Sequence, residues 1–488
     1  MGERLSTQAN SWAGSFGFSY DALSRRTQMT RPNGVATNYQ YDTLSRMLSV
    51  LHQAGTSTID GDAYTLDAAG NRTAKTDYLA GVTSNYTYDK IYELTQVTQG
   101  TNTTESYSYD PVGNRLSSLG VASYTYNPSN ELTITSTGTY GYDANGNETS
   151  KTDSTGTTNY TWDFENHLKQ VTLPNSGGTV TFLYDPFGRR IQKVYTTGSN
   201  PPTTTTTNYL YDGDNEIEQL DQNGSIVSRF AQGQNVDEPL AESVSGTTYD
   251  YEQDGLGSVT SLTNSAGVLG QTYTYGSFGS TTSSTGGVSN PFRFTGREFD
   301  SETGLYYYRA RYYDSNTGRF LSEDPARSEP SSYSYVSNAP TYWIDPTGET
   351  KKIPTDCGEL FRYIQEVVNI YVSKLDQYDP LEDGSGAIPK SGGGFHEPGV
   401  HYENLLLLQI KILKAIKYWD DHCGGPDHPS PVCDAQRKLI KQPIPEPIYP
   451  FSQPDVDPTT GVKIIGWTVI TGEALSLVGE YWWLVFAF

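Results

Sequence analysis

Along the first two thirds of this chain, apolar and polar positions alternate, and one short phrase interrupts the alternation at regular intervals. The phrase is aromatic-x-aromatic-Asp, as in Tyr86-Thr87-Tyr88-Asp89. A period of two sets both rings on one face of a strand. The Tyr-Asp pair recurs at Tyr20-Asp21, Tyr41-Asp42, Tyr88-Asp89, Tyr109-Asp110, Tyr142-Asp143, Tyr184-Asp185 and Tyr211-Asp212. Degenerate copies stand at Leu66-Asp67, Tyr126-Asn127 and Trp162-Asp163, and most successive spacings lie between 16 and 27 residues. Asp ends the strand, and a Gly or Asn three or four residues on supplies a positive-φ turn, as in Asp110-Pro111-Val112-Gly113-Asn114. Each unit has room for two strands and two turns, so each is predicted to be one β-hairpin. Hairpins in series give a long antiparallel sheet, which twists and must have its edges covered. Ser199 to Thr207 (SNPPTTTTT) is predicted as a loop. After Tyr249 the sequence changes to DYEQDGLGSVTSLTNSAG, with a turn expected at Ala266-Gly267, and Tyr275 is followed by Gly276 rather than Asp.

After Gly348 the period changes. Residues Cys357 to Leu375 place Leu360, Ile364, Val367, Val368, Tyr371 and Leu375 at helical spacing, and a second stripe from His401 carries Leu405, Leu408, Ile412 and Ile416. With the Gly/Pro-rich break between them, they predict a helical hairpin. A Pro-rich linker, Lys441 to Pro458, leads to the hydrophobic Val462 to Phe488. That segment is long enough to cross a bilayer, although Glu473 and Glu480 each carry an insertion penalty.

Composition agrees with a β-rich chain. Of 488 residues only 35% are hydrophobic and 18% charged, while Tyr (38) and Gly (48) are abundant, which favours strands and turns over helices. The net charge of −23 disfavours nucleic acid and anionic membrane as partners of the repeats. The first residues, MGERLSTQANSWAG, lack a charged region followed by an apolar one, so export is expected by a route other than a signal peptide.

The 3 cysteines all follow Gly348. In an antiparallel helical hairpin, Cys357 and Cys423 fall at the same end, within disulfide reach. A competing reading takes ligands for zinc from His396, His401, His422, Cys423, His428 and Cys433, centred on His422, Cys423, His428 and Cys433, though the spacing fits no standard finger. No cofactor is implied, and the tail carries no Gly-x-Ser-x-Gly, P-loop or His-Glu-x-x-His motif.

The stretch Phe292 to Gly348, FRFTGREFDSETGLYYYRARYYDSNTGRFLSEDPARSEPSSYSYVSNAPTYWIDPTG, closes the repeats. It and the repeats upstream, roughly Phe18 to Gly348, resemble the RHS/YD-repeat family and its RHS repeat-associated core. The resemblance implies a mostly β fold, in which a YD-repeat hairpin strip coils into a shell or partial shell around a cargo, followed by a variable, polymorphic-toxin-like C-terminal tail. With the periodicity and composition of the tail, it divides the chain into YD repeats (1–248), the RHS-associated core (249–348), a helical module (349–440), a linker (441–461) and the hydrophobic segment (462–488). About ten repeats make a short wall, so the expected shell is incomplete, completed by another chain, or part of a longer protein.

In the family, the chain is cut near the last Asp-Pro-x-Gly by paired aspartates. This implies Asp324 and Asp345 as candidate autoproteolytic residues, with Arg309, Arg311 and Arg319 in support. The residue after that motif, commonly Leu in the family, is Glu349 here. The competing reading of the residues has both aspartates capping turns ahead of Pro, and the arginines in wall ion pairs. The implied partners are the chain's own C-terminal segment as cargo and an immunity protein. Kinship with teneurins leaves open a cell-surface, carbohydrate-binding adhesive protein without catalytic activity. For 462–488, a membrane-active end, a segment shielded within the shell and a truncated domain all stay open.

Overall fold

The computed structural model describes residues 5–326 and 331–349, isolated positions between 364 and 416, residues 434–442, and Ile444. Two units are distinguished, Met1–Val372 with Leu408–Gln442, and Ser373–Leu407 with Pro443–Phe488. In the second unit, Leu405 is helical and buried. Every strand among the described residues belongs to the first unit.

Strands β1 (Thr7–Asn10) to β11 (Arg115–Ser118) form an 11-stranded sheet in which every strand pairs with its neighbours in sequence. Strands β12 (Tyr124–Tyr126) to β27 (Thr281–Gly286) continue in the same order as a 16-stranded sheet. In the short connection between them, Ser118 and Val121 form an isolated antiparallel bridge. This is the predicted hairpin strip, mostly β, antiparallel and not closed into a barrel.

The repeating phrase makes one repeating turn. At Asp21, the carboxylate Oδ1 accepts the N–H groups of Leu23 and Arg25 at 2.9 and 3.0 Å, while Ser24 donates to the Asp21 carbonyl at 3.1 Å with φ +67°. The same contacts recur at Asp42, Asp89, Asp110, Asp143, Asp163 and Asp185. The register slips by one at each, placing Tyr20 opposite Arg26 and Tyr109 opposite Arg115. This is a type I turn followed by a left-handed residue and a bulge.

The aromatic before Asp ties each repeat to the one before. Tyr41, Tyr109, Tyr184 and Tyr211 donate their hydroxyls to the carbonyls of Arg26, Leu94, Leu168 and Arg190 at 3.0, 2.8, 2.7 and 2.8 Å. The degenerate Trp162 keeps the contact through its indole N–H, 2.7 Å from the Glu148 carbonyl. In each case the acceptor is the residue paired with the preceding repeat's aromatic, as Leu94 is with Tyr88.

The strip also turns back on itself. In β6 (Ser57–Leu66), the Asp60 carboxylate accepts from Thr260 and Ser261 at 2.5 and 2.7 Å, and the Tyr64 hydroxyl accepts the Gly255 N–H at 2.8 Å. Arg31 donates to the Tyr251 carbonyl at 2.7 Å. Residues some two hundred positions apart are thereby joined through side chains, without strand pairing.

Two expectations are refined. Of the Ser199–Thr207 stretch, only the part around the two prolines stays out of strand. β20 (Thr204–Asp212) takes in the threonines, whose branched side chains suit a strand, and Thr196 and Thr204 meet across it at 3.1 Å. At Tyr275-Gly276 the turn survives without Asp, because Glu105 supplies a carboxylate to the Ser277 N–H at 2.9 Å. Ala266-Gly267 is a turn as expected, with Gly267 at φ +71°.

A four-stranded sheet, β28 (Glu298–Asp300), β29 (Leu305–Tyr308), β30 (Arg311–Asp314) and β31 (Arg319–Phe320), forms the plug. Its tyrosines are fully buried. The plug lies across the turns: Asn338, Tyr333, Tyr307 and Tyr306 donate to the carbonyls of Gly113, Gly146, Gly188 and Gly279 at 2.7, 2.8, 3.3 and 3.0 Å. All four acceptors are the left-handed residues of repeat turns.

In the tail, Ile364, Val368 and Tyr371 on the first predicted stripe, and Ile412 and Ile416 on the second, are helical and buried. The buried Gln409 amide donates to the carbonyls of Ile440 and Gln442, each at 2.7 Å, at the end of the short helix α1 (Asp434–Ile440). Cys357, His396, His401, His422, Cys423, His428, Cys433 and 462–488 lie outside the described residues. Among those described, no helix is long and apolar enough to cross a membrane.

The turn glycines under the plug generate a test. Gly146 and Gly224 both have positive φ, but a Cβ on Gly146 would sit 2.6 Å from the Tyr333 hydroxyl, whereas one on Gly224 meets nothing within 4 Å. Gly224→Ala should cost about 1 kcal/mol from backbone conformation. Gly146→Ala should cost roughly 1–3 kcal/mol more because the plug must shift. Urea unfolding of the two variants checks the difference.

Candidate functional site

The candidate site forms where the last Asp-Pro-x-Gly lies against the hairpin turn of β29 and β30. Tyr308 pairs with Arg311, which leaves Arg309-Ala310 as a two-residue turn with Arg309 at φ +61°. Every carbonyl from Pro346 to Gly348 is held by this turn. Arg309 donates through Nη1 to Pro346, the Ala310 N–H to Thr347 at 3.1 Å, and Arg311 through Nε to Gly348. The Asp345 carboxylate Oδ1 accepts the Gly348 N–H at 2.9 Å. Gly348 has φ +74°, and a Cβ there would run into the Tyr308 carbonyl, so this position requires glycine.

Arg311 is the hub. It is 4% exposed, lies 3.5 Å over the Phe320 ring, and donates to the Ser332 carbonyl at 3.0 Å and to Asp345 Oδ2 at 3.3 Å. The Asp324 N–H donates to the same Ser332 carbonyl at 2.9 Å, and its Oδ1 accepts the Ala326 N–H at 2.9 Å. Asp324 and Asp345 are 2% and 3% exposed, so both carboxyl groups are out of bulk water.

The structure thus gathers three of the five sequence candidates, Asp324, Asp345 and Arg311, around one guanidinium and one carbonyl. Arg309 flanks them, holding the Asp237 carboxylate at 2.8 Å as well as Pro346. Arg319 goes elsewhere. It donates to Asn114 Oδ1 and the Asn130 carbonyl at 3.3 and 2.6 Å and lies over Tyr126 and Tyr333, so it anchors the plug to two repeat turns. Asp237, Ser332 and Phe320 were not foreseen. Asp237 lies in a stretch without a repeat signature, and Ser332 acts through its backbone.

Two buried ion-pair groups fix the plug beside the site. Arg297 pairs with Asp237, and although burial pushes its pKa down, Asp237 and Glu298 raise it overall. Arg190, 1% exposed, pairs with Glu298 at 2.6 Å and Asp300 at 2.5 Å, and Lys193 reaches Asp300 at 3.0 Å. Burial works against the Asp300 charge, but Arg190 and Lys193 hold its carboxyl below the usual range. Among the described residues, Asp163, Glu165 and His167 are grouped as metal ligands would be. They belong to one exposed repeat turn, in which His167 stands where Arg25 stands in the first.

The sequence model of the Teneurin YD-shell family matches residues 79–332. The tRNA3(Ser)-specific nuclease WapA of Bacillus spizizenii is 31% identical over 290 residues, 56% of this chain and 12% of that protein. The double-stranded DNA deaminase toxin A of Burkholderia cenocepacia is 27% identical over 316 residues, 58% of this chain and 22% of that protein. The chain therefore spans about an eighth to a fifth of these relatives' length. Among solved structures, a Tc holotoxin pore of Photorhabdus luminescens superposes with TM-score 0.59 at 22% identity, covering 70% of this chain and 19% of that one. TcdB2-TccC3 without its hypervariable C-terminal region gives 0.57 at 22%, covering 68% and 19%. At this identity the two structures establish likeness of fold.

Two predictions concern the buried charges. Arg190→Met should leave Glu298 without its near cation and Asp300 with Lys193 alone, and cost about 3–5 kcal/mol, against at most about 1 kcal/mol for Arg25→Met at the more exposed Asp21 pair, read by denaturant unfolding. Glu148, Glu242 and Glu252 are each pushed up to about 8, foremost by burial. The folded chain then binds more protons than the unfolded one between the ordinary glutamate value of 4.5 and about 8. The stability that these three glutamates contribute is therefore full below pH 4.5 and lost towards pH 8, by at most about 1.4 kcal/mol per group and pH unit. Melting curves across that range check the sign, and Glu242→Gln should flatten the slope.

Proposed function

The chain belongs to the Teneurin YD-shell family, and from that premise we propose that it holds its own segment beyond Gly348 as a toxin-like cargo and severs it by aspartate-dependent self-cleavage at Gly348-Glu349. The observation that carries the reading is the grip on Pro346 to Gly348, with Arg311 on the Gly348 carbonyl oxygen and Asp345 on the Gly348 N–H. A guanidinium on that oxygen would stabilise the negative charge that develops when water attacks the Gly348 carbonyl carbon. Asp345, 3.3 Å from Arg311, and Asp324 would be the two carboxyl groups that pass the proton. Water would add across the peptide bond, leaving a carboxylate on Gly348 and a protonated amine on Glu349. The names of the relatives, nuclease and deaminase toxin, and the hypervariable C-terminal region of TcdB2-TccC3 support a variable effector after the plug.

Incubation of the purified chain followed by intact mass spectrometry should yield fragments that meet at Gly348-Glu349. Asp345→Asn and Asp324→Asn should each slow their appearance by at least about a hundredfold, and Arg311→Met by a similar factor. Arg319→Met should cleave normally wherever it folds. An intact chain after long incubation under folding conditions would sink the proposal.

A further inference from the structure

In the repeat turns, the side chain four places after Asp meets its carboxylate as a donor. Arg25, Arg46 and Arg189 reach Asp21, Asp42 and Asp185 at 2.6, 2.5 and 2.7 Å. Asn71, Asn114 and Asn147 donate to Asp67, Asp110 and Asp143 at 2.9, 3.0 and 3.0 Å. Where Asn127 replaces Asp, the roles are exchanged, and its amide donates to Glu131 at 2.5 Å while its Oδ1 still accepts the turn N–H groups. The turn at Asp89 follows neither arrangement. Its fourth residue is Glu93, and the two carboxyl groups hydrogen-bond to each other. Two carboxyls make that bond only with a proton between them.

Glu93 is 5% exposed. The charged groups around it are Asp89 on its own turn, Asp110 on the next, and Arg115, which acts with Glu93 on the Tyr109 hydroxyl. Lys90, beside Asp89 in the chain, is exposed, and no lysine or arginine forms an ion pair with Glu93 among the described residues. Burial first, then Asp89 and Asp110, push its carboxyl from the ordinary 4.5 up to about 7, against the opposing pull of the Asn338 amide.

That amide belongs to the plug. It donates to Glu93 Oε1 at 2.8 Å and to the Gly113 carbonyl at 2.7 Å. Asn338 ends a run of three left-handed residues, Val336, Ser337 and Asn338, with φ of +45°, +49° and +58°. None is glycine, and for a β-branched valine this conformation is strained, so the run persists only while its surroundings hold it. Three residues further on, Thr341 shares a hydrogen bond with the Tyr88 hydroxyl at 2.8 Å. One repeat thus grips the plug twice, through Tyr88 and through Glu93.

We propose that Asp89 and Glu93 form a proton-operated latch on the left-handed turn Val336–Asn338, which is held while the two carboxyls share a proton and opens when that proton passes to solvent. Without it, two negative charges are in contact. Asp89 is fixed by the N–H groups of Ile91 and Glu93 at 2.9 Å each, so the Glu93 side chain is the one that withdraws. Asn338 then loses one of its two acceptors, and the strained run relaxes. Because the held form has the raised value, the hold is full below pH 4.5 and is lost as pH rises to about 7.

The test is hydrogen exchange of the purified full chain from about pH 5 to about pH 8, read by mass spectrometry and corrected for the intrinsic exchange rate. The readout is the Asn338 and Ala339 amides, which donate inside the turn to Tyr335 and Val336 at 3.0 and 3.1 Å. Their protection should fall by up to about tenfold per pH unit until about pH 7 and level off above it. Asp89→Asn, which reproduces the Asn127 and Glu131 arrangement, and Glu93→Gln should each reduce the whole change to less than about threefold. If Glu93→Gln does not fold, Asp89→Asn carries the test. Protection that does not change with pH, that changes equally throughout the strip, or that changes alike in the parent and the folded variants would overturn the latch.

Discussion

A bulged hairpin leaves one main-chain carbonyl facing the next repeat without a strand partner, and this fold depends on giving that carbonyl a donor. Where an aromatic precedes the Asp it supplies that donor, a hydroxyl in Tyr109 and an indole N–H in Trp162, whereas the Leu66-Asp67 unit has leucine there. One such bond contributes about 1 kcal/mol, but leaving the buried carbonyl bare would cost more. Asp contributes the other half by tying off the turn that makes the bulge. The two residues of the pair thus solve consecutive parts of one problem, which explains their adjacency in the sequence.

The plug applies the same rule to the turns. Its tyrosines and Asn338 donate to carbonyls of left-handed residues at Gly113, Gly146, Gly188 and Gly279, and a Cβ on Gly113, Gly146 or Gly279 would press on Asn338, Tyr333 or Phe294. Turns that bear no plug tolerate Ser24, Ser45 or Asn166 at the equivalent place. Around the plug, arginine is used three ways: Arg190 of the repeat strip neutralises buried acids of the plug, Arg319 anchors to turns, and Arg311 organises the Asp-Pro-x-Gly segment.

The strip was legible in the sequence because Tyr-Asp marks each turn and alternation marks each strand. The joining of Asp345 with Arg311 followed the motifs. The separate course of Arg319 could not be read, because it stands in the same string as Arg309 and Arg311 and only the fold sends it to Asn114 and Asn130. The hydroxyl ladder was hidden for a different reason: its acceptors are carbonyls, which every residue possesses. Arg190 likewise finds Glu298 and Asp300 more than a hundred residues away, a pairing that no local pattern encodes.

Pairing only between sequence neighbours also bears on synthesis. A ribosome delivers this chain one hairpin at a time, and each can add to the growing edge without waiting for distant partners. The plug sequence emerges only after the glycine turns that receive it. A nascent chain can therefore complete its strip first and seat the plug afterwards, with the residues beyond Gly348 arriving last.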